Sequence, residues 1–236
     1  MAREDSAGRS ITNTGYVDLT GVTDPEELAA IEQITNVGVV LVPEELAGAI
    51  AKVAIRNVGQ VVKVPAGRRV SVRSGIVQLS GTVLENRDGD PTDVLVLVGQ
   101  IVITGVPQRV GYELIVSGIL VVPREAEDVI SRATTQFAGQ MFAYTGANVR
   151  VFTSKVTLDR EFLELLPEGT ALLMMDDATF EPDVTKELLQ SKVTDILHMG
   201  ALHVPKHLRA VVQVLASTSF GDLIVQSAGG DMDGQG

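Results

Sequence analysis

The chain of 236 residues contains no cysteine and no tryptophan, only three histidines, and 4% aromatic residues. Without cysteine there are no disulfides, no zinc–thiolate or iron–sulfur sites and no thiol nucleophile. The scarcity of aromatic rings argues against the stacking platforms on which RNA modules hold bases. Basic residues are also few: 19 Lys and Arg stand against 30 Asp and Glu, for a formal net charge of -11. Nucleic-acid affinity rests on phosphate contacts and needs a cationic surplus, so no nucleic-acid partner is expected. Long hydrophobic runs are missing too. The longest, 94–106, is broken by Gly99, Gln100 and Thr104. It is shorter than the roughly 20 residues a membrane-spanning helix requires. The first ten residues lack the apolar stretch of a secretory signal, so a cytoplasmic protein with no membrane span is expected. Arg outnumbers Lys thirteen to six, a usage associated with high-GC bacterial genomes.

The composition that remains, 45% hydrophobic and 21% charged, is that of a globular chain long enough for one packed domain. Its informative feature is an irregular repeat. Short β-type runs open at a small residue, often Gly, and several close in Pro: 37–43, 117–123 and 199–205 are the clearest, with looser copies at 58–65, 74–81, 98–105, 138–146 and 177–182. With the Gly or its equivalent as origin, copies begin at 38, 59, 75, 99, 118, 139, 177 and 200. The interval from 139 to 177 is close to two ordinary steps, which predicts a degraded or replaced copy near 158.

A step of about 20 residues is the size of one turn of a solenoid. A short strand with one turn cannot bury its apolar face alone; parallel stacking pairs each strand with the next and joins the inward side chains into one core. Gly permits a tight corner, and Pro, lacking an N–H, ends the ladder. Val, Ile and Thr dominate the runs, as strands favour. Between them, 24–31 and 43–53 read as short helices, with Asp24 as N-cap and Pro25 in the first turn. Weaker helical stretches lie at 123–132, 158–166, 182–189 and 205–215. The predicted fold is therefore mainly β with short helices, a parallel β-solenoid, either a β-helix or strand–helix turns like those of leucine-rich repeats. A single domain is expected over 13–226: helix-bearing at 13–54, β-rich at 55–150, helix-bearing again at 151–226. Frayed tails are expected at 1–12 and 227–236. An open β-sandwich or an α/β sheet is the alternative.

Chemical motifs are sparse. No phosphate-binding glycine loop, dinucleotide fingerprint or Gly-x-Ser-x-Gly elbow occurs. His198, His203 and His207 lie in one stretch, and three imidazoles suit a metal. Pro205 separates the last two, however, so they share no regular helical face. They are weak metal candidates, and no cofactor is expected. Asp88, Asp90 and Asp93 resemble a calcium loop faintly but lack its closing bidentate Glu; a solvated turn is expected. Adjacent Asp176 and Asp177 point to opposite faces if extended, which rules out an acid/base pair and leaves a strand end. Arg68, Arg69 and Arg73 form the one basic cluster, a weak candidate for protein interaction.

The runs 58–62, 74–77, 98–102 and 117–121 together resemble those of bactofilins, bacterial cytoskeletal β-solenoids that polymerise end to end without nucleotide. The resemblance covers about 55–150 at the level of pattern. It departs from that family in its uneven spacing and in its Pro-initiated helices, which look more like the strand–helix turns of leucine-rich solenoids. It implies a non-catalytic structural protein that self-associates, as a homo-oligomer or filament, or docks a protein partner. Two alternatives stand beside it: a capped adaptor regulating a bacterial cytoskeletal or chromosome-segregation protein, and a metal-dependent enzyme centred on His198, His203 and His207.

Overall fold

In the computed structural model the described residues are 9–216 and 218–226; the expected tail 227–236 lies outside them. Residues 9–12, expected in a frayed tail, are instead the start of the first strand, and 1–8 lie outside the described residues. Among the described residues the chain is mainly β, with short helices and exclusively parallel strand pairing in the registers given below. No helix of these residues is long and apolar enough to cross a membrane.

The strands are β1 (Arg9–Asp18), β2 (Ile31–Pro43), β3 (Ala54–Val64), β4 (Val70–Ser80), β5 (Val94–Thr104), β6 (Glu113–Pro123), β7 (Thr134–Tyr144), β8 (Asn148–Phe152), β9 (Val156–Leu158), β10 (Thr170–Met174), β11 (Ala178–Phe180), β12 (Val193–His198), β13 (Leu202–Pro205), β14 (Thr218–Ser219) and β15 (Leu223–Gln226). The helices are α1 (Pro25–Ala29), α2 (Ala47–Ile50), α3 (Glu127–Ala133), α4 (Arg160–Leu165), α5 (Lys186–Lys192) and α6 (Arg209–Leu215).

These strands fall into four separate parallel sheets: β1-β2-β3, β4-β5-β6-β7, β8-β10-β12-β14 and β9-β11-β13-β15. One unbroken ladder over 13–226 is not what forms. The break after β3 has a local cause: Pro65 has no N–H to extend the pairing, and Gly67 turns the chain at φ 81°. The chain divides into two compact units, 1–141 and 142–236, where the sequence led us to expect one domain.

In the first unit the middle strand β2 of the three-stranded sheet buries side chains on both faces. Val40 and Val42 join Leu28, Leu46 and Ile50 in a core under α1 and α2. Val39 and Leu41, alternating with them, join Val96, Val98 and Ile115 of the second sheet. Alternation along one strand therefore feeds two cores. The two sheets approach closely at their glycines: a Cβ on Gly38 would lie 3.1 Å from a Val98 methyl, and one on Gly59 would lie 3.3 Å from Ser117 Oγ.

In the second unit one order recurs: strand, three-residue corner, strand, short helix or loop. It appears at β8–β9, β10–β11, β12–β13 and β14–β15. The degraded copy expected near 158 is β8–β9, with Thr153, Ser154 and Lys155 at the corner where other copies carry Gly or Asp. Its core gathers Leu158, Leu172, Phe180, Leu189, Ile196 and Val204, all fully or almost fully buried.

Candidate functional site

Among the described residues a column of asparagines runs across the three-stranded sheet. Asn13, Asn36 and Asn57 each precede a glycine by two residues and each adopts a left-handed backbone, with φ of 56°, 56° and 50°. Asn tolerates this conformation better than other residues with a side chain, because its short amide bonds locally. The parallel register stacks the three. Thr12 pairs with Thr35 and Thr35 with Arg56, so the asparagines that follow align. Asn36 Nδ2 donates to Asn13 Oδ1 at 2.9 Å, and Asn57 Nδ2 donates to Asn36 Oδ1 at 2.7 Å.

The column is directional and open at both ends. Among the described residues the Asn13 amide N–H groups meet no acceptor above them, and Asn57 Oδ1 meets no donor below. Both asparagines are exposed. Apolar columns run beside them: Ile11, Ile34 and Ile55 in one, Val17, Val40 and Val61 in the other. Val40 in the middle strand is fully buried, while Val61 on the edge is 38% exposed. The edge strand thus presents a core position with nothing packed on its outer side, together with unpaired backbone groups.

The residues singled out from the sequence are placed otherwise. Arg68 turns inward: its two Nη atoms lie 2.9 and 2.8 Å from the carboxylate oxygens of Glu113, and its Nε donates to Thr92 O at 2.6 Å. The hydrogen bond that it donates to Glu113 holds the guanidinium above its ordinary pKa, against partial desolvation. It ties the turn before β4 to β6 and is spent on the fold. Arg69 is exposed, and Arg73, exposed on the edge strand β4, bonds Val72 O. The three do not form one free cationic patch.

The histidines are also employed separately. His198 is 1% exposed, and its Nδ1 donates to Gly200 O at 2.9 Å, bracing the corner between β12 and β13. A carbonyl can only accept, so Nδ1 carries the hydrogen. His203 is half-buried in β13, in register with Thr179 and Ile224. His207 donates from Nε2 to Val184 O at 2.8 Å. Among the described residues no three His, Asp or Glu side chains converge as a metal site.

The acidic residues close turns. Asp90 accepts from the backbone N–H and hydroxyl of Thr92, which lowers its pKa. Buried Asp93 accepts from Asn86 Nδ2 at 3.2 Å and from Asp90 N. Asp177 accepts from Ala201 N at 2.9 Å, linking two successive corners, and Asp176 accepts from Asp177 N.

Reading the glycines alone misses the asparagine column. Its signal is legible nonetheless: Asn-Thr-Gly at 13–15, Asn-Val-Gly at 36–38 and Asn-Val-Gly at 57–59, with steps of 23 and 21. The Gly-to-Pro frame started one copy late and looked past the residue two before each glycine. In comparisons with known proteins, no family, no curated protein and no solved structure matches this chain.

Proposed function

We propose that this chain is a non-catalytic structural and interaction protein, built from β-solenoid segments, that associates head to tail with further copies of itself. The three-stranded and four-stranded sheets of the first unit are two short stacks of bent strands, and the paired sheets of the second unit are a third. Each stack is a solenoid segment in which one strand–corner–strand turn rests on the next.

The carrying observation is the open, directional asparagine column. Its spare donor is on β1 and its spare acceptor on β3, so a second copy placed in register supplies what each end lacks: Asn13 of one molecule donates to Asn57 of the next. The same register sets Val17 of one copy beside Val61 of the other and covers the exposed core position. A contact between two different patches is heterologous and propagates. The metal-enzyme alternative draws no comparable support, because His198 and His207 are bonded to separate backbone carbonyls and, among the described residues, no three His, Asp or Glu side chains converge.

Sedimentation velocity and negative-stain microscopy over rising protein concentration test this. Association that grows with concentration, into particles extended in one direction, is the expected result. A monodisperse monomer at every concentration, with the fold intact by circular dichroism, overturns it and leaves partner docking as the use of the edge.

A further inference from the structure

A concave surface in the second unit, with a volume of about 460 Å³, is lined by Lys186, Lys206, His207, Arg209, Gln213 and Val225 among others. Its size is that of a small-molecule site. Its charge is anomalous for this chain. The protein carries a formal charge of -11, yet three of its 19 Lys and Arg residues line this surface, and no Asp or Glu is among the residues that line it. Elsewhere three arginines take acidic partners, Arg124 with Glu127, Arg132 with Asp128 and Arg160 with Glu164, while Lys192 donates to Leu166 O. Among the described residues Lys186, Lys206 and Arg209 form no ion pair with a carboxylate. The first turn of α6, which begins at Arg209, contains no acid.

The remaining groups suit an oxyanion. Nε2 of His207 is committed to Val184 O, which fixes the ring at the edge of the concavity. Gln213 adds an amide that donates or accepts, and Val225 supplies an apolar wall. Lys offers point charge and Arg a planar fork, the pair of donors with which proteins commonly hold phosphate.

The geometry points to a binding site for a small phosphorylated ligand, a phosphate monoester or diphosphate, held by Lys186, Lys206 and Arg209. This inference is independent of self-association, since it uses none of the residues at the β1 and β3 edges.

Titration of the full chain with inorganic phosphate and with pyrophosphate, at constant ionic strength with chloride as the balancing anion, tests it. Calorimetry is expected to show saturable one-to-one binding. Amide NMR shifts are expected to concentrate at 184–187, 206–213 and 225. The double variant Lys206→Ala/Arg209→Ala is expected to bind at least about tenfold more weakly, with an unchanged far-ultraviolet spectrum and melting temperature because both side chains are exposed. The control Arg69→Ala/Arg73→Ala is expected to bind as the parent does. Absence of saturable binding, equal affinity in the Lys206/Arg209 variant, or an equal loss in the control overturns the proposal. Retention on phosphatidylglycerol vesicles without binding of either free anion also overturns it, in favour of a lipid surface.

Discussion

Asn36 makes two of the bonds that matter at the scale of single residues, accepting from Asn57 and donating to Asn13, from a backbone at φ 56°. Replacing it separates the amide from the conformation. Asn36→Ala loses both bonds and forces a Cβ residue into the left-handed region, and about 2 kcal/mol of stability is expected to go. Asn36→Gly loses the bonds but accepts the backbone, so it is expected to fall about 1 kcal/mol less far in denaturant unfolding. Equal losses would mean that the conformation carries no strain. A second single-residue effect is pH-dependent. Glu85 accepts from the Gln108 backbone N–H and from Arg87, and these hold its carboxyl below the ordinary glutamate pKa. A carboxyl depressed in the folded state gives stability that is present above its unfolded pKa and is lost as pH falls through the folded one. Melting temperature is therefore expected to decline on acidification below the ordinary carboxylate range of about 4, and less steeply in Glu85→Gln, which starts lower at neutral pH. Neither partner was legible in advance. Gln108 is 23 residues away, and its bond to Glu85 depends on how the loop after β5 folds back over the turn after β4.

Secondary-structure elements were easier to read than their partners. The clearest sequence copies, 37–43, 117–123 and 199–205, all lead from strand through Pro into a helical turn. Leu46, Ala126 and Leu208 then occupy one equivalent buried position, and Ile50, Ile130 and Val212 another. Proline could be read as a strand terminator because it removes a donor, and the apolar spacing of four residues after it could be read as one helical face. What could not be read was pairing between distant elements. A run such as Val94–Val98, buried along its whole length, shows that both faces of β5 are covered but not by what. Its cover on one side is the three-stranded sheet, through Val39, Leu41 and Val62. The helical turns are short, and packing rather than propensity holds them. Ile130→Ala is accordingly expected to cost about 2–5 kcal/mol, the range for emptying a fully buried aliphatic site. Measured by chemical unfolding, a loss under about 1 kcal/mol would mean that α3 closes over the cavity.

For the whole molecule, the number of strands in each sheet decides how copies can meet. The two facing sheets of the first unit hold three and four strands. At about 4.8 Å per strand they rise roughly 14 Å and roughly 19 Å. A second copy displaced along the stack cannot continue both ladders at once, so one edge makes the contact and the other stays unpaired. The asparagine polarity selects the three-stranded sheet, since its ends are complementary in hydrogen bonding as well as in apolar cover. The four-stranded sheet has no such column: its corners are Gly75, Gly99, Gly118 and Gly139, all at positive φ, and glycine offers no side-chain donor to hand on. Its edge strand β4 nevertheless exposes Ile76 more than β3 exposes Val61, 50% against 38%. Apolar exposure alone would favour the β4 edge, and the ladder favours β3, so two matched variants separate the explanations. Val61→Lys places a charge in the contact that the ladder defines and is expected to hold the chain monomeric in sedimentation velocity, with an unchanged circular dichroism spectrum. Ile76→Lys, at the more apolar edge, is expected to associate as the parent chain does. The reverse outcome would move the contact to β4 and leave the asparagines as an internal brace of the first three strands.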